Sequence, residues 1–153
     1  MADTLVRGLT DRERCSTTWV VPLYGATLED RQRRPRWEAQ TAERLRRLME
    51  LPPGWDSYGA SPVDGSIVGY TQQILSRVMD EATPLPQIVP TSTGGIQLEW
   101  HQQGIDLEVE VTGPYRCRVS FEDFRCGECW EKEFKMYLTP LVAIVRRLDR
   151  PPY

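Results

Sequence analysis

The chain carries one histidine, two lysines and four cysteines, and each scarcity removes a class of function. A Ser-His-Asp or Cys-His centre would have to be built on His101, and no serine stands in a Gly-x-Ser-x-Gly setting. A solvated strand histidine is the preferred reading of His101. There is no phosphate loop or dinucleotide fingerprint, because Gly94-Gly95 belongs to a turn between strands rather than to the start of a helix. Cys15, Cys117, Cys126 and Cys129 are too few and too unevenly spaced for a secreted disulfide scaffold. No apolar run approaches the roughly 18–20 residues that cross a bilayer. Met1 to Thr10, with Asp3 and Arg7, lacks the apolar stretch of a signal peptide. The default expectation is a cytoplasmic protein with no membrane association.

What is present fits one globular domain. The 153 residues are 40% hydrophobic and 27% charged, which is enough apolar material to bury a core and too little net charge for a disordered chain. The net charge of −3 implies no partner by itself, but it is unevenly spread. Residues 1–47 hold ten arginines against seven acids, a net of +3, which leaves −6 for the remainder. Arginine outnumbers lysine 17 to 2. That ratio suits phosphate recognition, yet a GC-rich genome produces it without any function, and that is the favoured explanation.

The first 34 residues are read as an N-terminal arm. Within it Ser16 to Tyr24 (STTWVVPLY) is β-prone, and Pro22 restricts it to an edge strand or extended segment. Residues 35–153 are read as a single α+β domain. Trp37, Thr41, Leu45 and Leu48 recur at helical spacing and predict a helix over about 36–50, stopped by Pro52-Pro53-Gly54. After the loop Gly54 to Pro62, Asp64 caps a second helix over about 64–81. Its buried stripe is Ile67, Val68, Thr71, Ile74, Leu75, Val78 and Met79.

From Gln87 onward the period is two. Short strands at Gln87–Pro90 and Ile96–His101 are followed by Ile105, Leu107, Val109 and Val111 on one face, with Asp106, Glu108 and Glu110 on the other. A three-residue loop at 112–114 pairs Val111 with Tyr115, Val109 with Cys117 and Leu107 with Val119. It also sets Glu110 against Arg116 and Glu108 against Arg118. A turn at Cys126–Cys129 then leads to a strand over about 130–138, pairing Phe121 with Phe134, Val119 with Met136 and Cys117 with Leu138. Thr139 reads as the cap of a last helix over about 140–149, which buries Leu141, Val142, Val145 and Leu148. Arg146, Arg147 and Arg150 would complement its dipole. The expected fold is an antiparallel meander of four or five strands, with two preceding helices and a closing helix on one face.

Leu51-Pro-Pro-Gly-Trp-Asp-Ser-Tyr-Gly-Ala60, followed by Gly94-Gly-Ile-Gln-Leu-Glu-Trp100, is the most distinctive text. With it the chain resembles a group of small bacterial and mobile-element proteins that share a P-x-G-W-D-x-Y-G-A loop and a G-G-x-Q-L-E-W strand. The resemblance covers roughly residues 45–148 and implies the order of elements. The group is functionally uncharacterised, so no activity comes with it. The N-terminal 35 residues and the Cys126/Cys129 turn lie outside the shared pattern.

Four features are candidates for function. Trp55, Asp56 and Tyr58 read first as a loop that tucks aromatics onto the core, with Asp56 bonding turn amides; the alternative is a recognition loop with aromatic anchors. Glu99, Asp106, Glu108 and Glu110 crowd one polar face. A charge-alternating exposed sheet is the plain reading, a surface for a basic partner the functional one, and hydrolysis or divalent-cation binding the least favoured. Cys126-Gly-Glu-Cys129 is half of a zinc knuckle without its second half, and two surface thiols are preferred. Arg31, Arg33, Arg34 and Arg36 can contact nucleic-acid phosphates, although Glu29, Asp30, Glu38 and Glu43 lie among them and a solvated linker is preferred. With no assembled catalytic set, the leading expectation is a non-catalytic protein-binding module of bacterial or phage origin, of inhibitor, antitoxin or immunity type. No cofactor is expected, with zinc as the alternative. A nucleic-acid-associated regulator using residues 31–47 and a metal or hydrolytic enzyme are the other readings.

Overall fold

The computed structural model describes residues 35–149. By its contacts the chain divides after Arg33, and all described residues belong to the second unit, Arg34–Tyr153. The expectations for Ser16–Tyr24, for Cys15, and for Arg31, Arg33 and Arg34 fall outside the described residues.

Helix α1 spans Arg36–Met49 and α2 spans Gly65–Val78. Five strands follow: β1 (Gln87–Pro90), β2 (Ile96–Gln102), β3 (Ile105–Gly113), β4 (Arg116–Asp123) and β5 (Glu128–Lys135). Helix α3, Thr139–Val145, closes the domain. All strand pairs are antiparallel and the spatial order is the chain order, β1 to β5. The fold is the expected α+β meander.

Both long helices form for the reasons their sequences give. In α1, Thr41, Leu45 and Leu48 are buried while Glu43, Arg46 and Arg47 stay exposed. The Glu43–Arg47 and Glu43–Arg46 pairs, at 2.8 and 3.0 Å, lie in solvent and add little. In α2, Asp64 caps as expected, accepting from the Ser66 amide at 2.7 Å. Helix α2 packs on β2 and β3, α1 on α2 and β1, and α3 on α2. The core between helices and sheet holds Ile74, Leu75, Ile96, Leu98, Trp100, Leu107, Val109, Val119 and Phe121.

Two registers differ from expectation. Val111 pairs with Cys117, Val109 with Val119 and Leu107 with Phe121, a shift of two residues. The cause is a longer hairpin: β3 runs on to Gly113, the ladder is irregular between Val111 and Gly113, and only Pro114-Tyr115 turn. In the second case Phe121 pairs with Trp130 and Cys117 with Phe134, a shift of four, because the turn occupies residues 124–127 and β5 starts at Glu128. Both shifts are even, so every side chain that stays in the ladders keeps its face while its partner changes. Tyr115 and Met136, expected to point inward, are exposed instead. At the last helix, Leu138 holds the cap position and Thr139 is already helical; Ile144 is buried and Val142 only half-buried.

The loop before α2 is fixed to the β1–β2 turn. Ser61 donates to the Ser92 carbonyl at 2.9 Å, and a Cβ on Gly94 would stand 2.7 Å from the Pro62 carbonyl oxygen. Gly94 also has φ +85°, so both space and backbone require glycine there.

Candidate functional site

The register settles which charges meet on the solvent face of the sheet. Seven carboxylates occupy outward positions (Glu99, Asp106, Glu108, Glu110, Glu122, Glu131, Glu133) against Arg116, Arg118 and Lys135, a net of −4 with His101 neutral. Sequence reasoning named the first four and missed Glu122, Glu131 and Glu133. Glu122 continues the outward series of β4, and Glu131 and Glu133 alternate with Trp130, Lys132 and Phe134, so the signal for all three was the period of two.

The corrected pairing leaves the face less neutralised than expected. Glu110 sits opposite Arg118, 3.8 Å away, but Glu108 sits opposite Ser120 on one side and Glu99 on the other. Like charges directly opposite each other are unfavourable. The Gln97 side-chain amide bridges this pair, donating to Glu99 at 3.0 Å and to Glu108 at 3.2 Å. Among the described residues Glu108 makes no ion pair.

His101 lies at the other end of this row. Its Nδ1 is 3.1 Å from Asp106 and its Nε2 is 3.5 Å from Glu99. The hydrogen bond to Asp106, with the second one to Glu99, raises its pKa above the ordinary histidine value. A group raised in this way contributes stability that is complete below the unfolded pKa near 6.5 and is lost as pH rises through the folded pKa. An NMR titration of the His101 ring is expected to give a midpoint above 6.5, and Asp106→Asn to move it back down. A midpoint at or below 6.5 in the unsubstituted chain would contradict the pairing.

The Gly54–Ala60 loop is built at Asp56 as its sequence implied. One Asp56 oxygen accepts from the Tyr58 amide at 2.8 Å and the Ala60 amide at 2.9 Å, and the Gly54 amide donates to the Ala60 carbonyl at 2.8 Å. The Ala60 and Tyr58 amides hold the Asp56 carboxyl below its usual range. Trp55 is half-buried with its Nε1 on the Ser61 carbonyl. Tyr58 does not tuck onto the core: it is 93% exposed, beside Ser57 at φ +66°. The loop is therefore structural at Trp55 and Asp56 and presents Tyr58 to solvent. It is tied to the β1–β2 turn, and no hydrogen bond or ion pair among the described residues joins it to the carboxylates.

The other candidates are not brought together. Cys126 is exposed in the β4–β5 turn, whereas Cys129 is exposed on β5, paired across the ladder with Glu122. The turn expected at Cys126–Cys129 therefore falls on residues 124–127, with only Cys126 inside it. Among the described residues no group of three or more His, Cys, Asp or Glu side chains is gathered around a point that a metal could occupy. Burial pushes the Cys117 thiol up to about 11, which makes it unreactive. Arg36 is exposed on the first residue of α1. A groove of about 730 Å³ runs between α1 and α2, lined by Trp37, Thr41, Gly69 and Gln73 among others, and holds none of the candidate residues.

One charged centre was missed altogether. Asp123, at the inward end of β4, is 1% exposed. It takes a two-pronged bond from Arg125 at 2.8 and 2.7 Å, the Arg125 amide at 3.0 Å, and Arg147 from beyond α3. Arg147 also reaches Glu128 at 2.8 Å and lies over the Phe121 ring. Arg147 thus serves a buried carboxylate rather than a helix dipole. The signal was an aspartate continuing the inward series Cys117, Val119, Phe121. No protein family, curated protein or solved structure matches the chain, so its function rests on this geometry.

Proposed function

We propose that the chain is a non-catalytic protein-binding module of inhibitor, antitoxin or immunity type whose acidic sheet face receives a basic surface of another protein. The observation that carries this reading is the row Glu99, Glu108 and Glu110, on a face that none of the described helices covers, with Glu108 opposite Glu99 and unmatched by any cation among the described residues. Uncompensated like charges on a rigid sheet are unfavourable in the free protein and become favourable against a basic partner. Tyr58, held outward by the Asp56 bonds, supplies an aromatic anchor of the kind that dominates protein interfaces. Complementary fields speed association and fade with salt over a Debye length of about 8–10 Å.

The test is capture by the tagged full chain from its native host at low and at moderate salt, beside the double variant Glu99→Lys, Glu108→Lys. One stoichiometric protein is expected on the unsubstituted chain, with affinity reduced at least about tenfold in the variant. A hydrolytic activity abolished by Glu108→Gln would overturn the proposal.

A further inference from the structure

Where β3 turns into β4 and β5 ends, three large apolar side chains stand in solvent. Tyr115 is 52% exposed, Met136 74% and Tyr137 66%. Two of them sit on unfavourable backbone: Tyr115 has φ +58° and Met136 has φ +56°, a region that bulky L-residues rarely adopt. The two are joined, since the Met136 amide donates to the Tyr115 carbonyl at 3.1 Å. The Tyr137 amide in turn donates to the Lys135 carbonyl at 2.5 Å, closing a three-residue turn on Met136 of the rarer, strained hand. The Tyr70 ring meets Tyr115 edge-on, with centroids 5.4 Å apart. Glycine would relieve either position, yet both carry large side chains held out in water. Strain of this kind collects at binding sites.

The charges beside this corner are opposite in sign to those of the rest of the face. Arg116 and Lys135 are direct cross-strand partners, a like-charge pair that destabilises the free sheet. Arg116 makes no ion pair among the described residues, and Lys135 reaches only Glu133, at 4.0 Å and well exposed. Aromatic residues, methionine and arginine are the residues enriched at interface cores. Among the described residues β5 is also an outer strand of the sheet, with an edge along which an extended segment can pair.

We propose that Tyr115, Arg116, Lys135, Met136 and Tyr137 form a second docking site, for an extended acidic segment of another protein carrying aromatic or aliphatic anchors. It lies at the corner of the same sheet face, away from Glu99 and Glu108 and opposite in sign to them, and does not depend on the reading of those acids.

The test uses the full chain labelled with 15N and two short synthetic peptides, one of glutamates interspersed with phenylalanine and one with lysine for each glutamate. The acidic peptide is expected to shift the amides of Arg116, Lys135, Met136 and Tyr137, and the lysine peptide to leave them unmoved. Arg116→Glu with Lys135→Glu should weaken the acidic peptide at least about tenfold. Met136→Gly should weaken it about fivefold while raising the Tm, because glycine takes a positive φ without strain. Glu99→Lys with Glu108→Lys should leave this binding intact, which separates its failure from that of the acidic-face proposal. Shifts centred on Glu99 and Glu108, or an unchanged affinity in Met136→Gly, would overturn the site. Shifts at the corner that appear with protein concentration alone would reassign it to a second copy of the chain.

Discussion

Trp100→Ala is expected to cost about 3–5 kcal/mol, a large part of the 5–15 kcal/mol that holds a typical domain together. Trp100 stands near the middle of the sheet, opposite Leu107, and is 1% exposed. Its removal opens a cavity that strands pinned on both sides cannot collapse to fill. It also takes a donor from the Pro84 carbonyl, which receives the indole Nε1 at 2.8 Å and belongs to the link between α2 and β1. The two losses separate by substitution. Trp100→Phe keeps most of the ring but leaves that carbonyl unmatched, and should cost roughly 1–3 kcal/mol. Urea unfolding followed by circular dichroism measures both, and a loss under about 1 kcal/mol for the alanine variant would show the core to be loose.

Asp123→Asn is expected to lower the Tm on the order of 10 °C, the second largest effect. The carboxylate is buried and held by two partly exposed guanidinium groups, and the substitution removes the charge that both of them pair with. The pH dependence has a definite sign. Arg125, chiefly, and then Arg147 hold the Asp123 carboxyl well below the usual aspartate range. A depressed pKa contributes stability that is present above the unfolded value near 4 and is lost as pH falls below it toward the folded value. The unsubstituted chain should therefore lose stability steeply in acid, and Asp123→Asn should flatten that part of the curve. An unchanged acid limb, measured by thermal melts from neutral pH downward, would move the acid sensitivity elsewhere.

The helices and the faces of the strands were legible because both are periodic. Thr41, Leu45 and Leu48 mark one face of α1, Asp64 marks the start of α2, and inward residues alternate with outward ones along each of β2, β3 and β4. The pairings were not legible, and for a specific reason. Matching faces test register only in steps of two, and both errors were even. The first could be corrected only by knowing that Tyr115 accepts a left-handed backbone, which nothing in Gly113-Pro114-Tyr115 announces. The second came from giving the turn to the conspicuous cysteines instead of to Phe124–Gly127, where Gly127 at φ +74° completes it. Of the candidate site, the acids at 99, 106, 108 and 110 were readable from alternation alone. That Glu108 faces Glu99 and no cation depends on register, and so appeared only in the structure.

The strand order has a consequence for how the chain reaches this fold. Among the described residues every strand pairs with its neighbour in sequence, so none of these ladders waits for distant segments to meet. Each hairpin closes a short loop, and loop-closure entropy grows only slowly with length. Sheets of this size with crossover connections fold slowly because their contacts are far apart along the chain, whereas a meander can zip one strand at a time. The late and costly contacts are then those that close over the sheet, such as the Gln103 amide on the Leu148 carbonyl, 45 residues away, and Arg147 reaching back 24 residues to Asp123. That ion pair fastens a sheet that is already assembled, which gives it more influence over how long the domain stays folded than over how fast it forms.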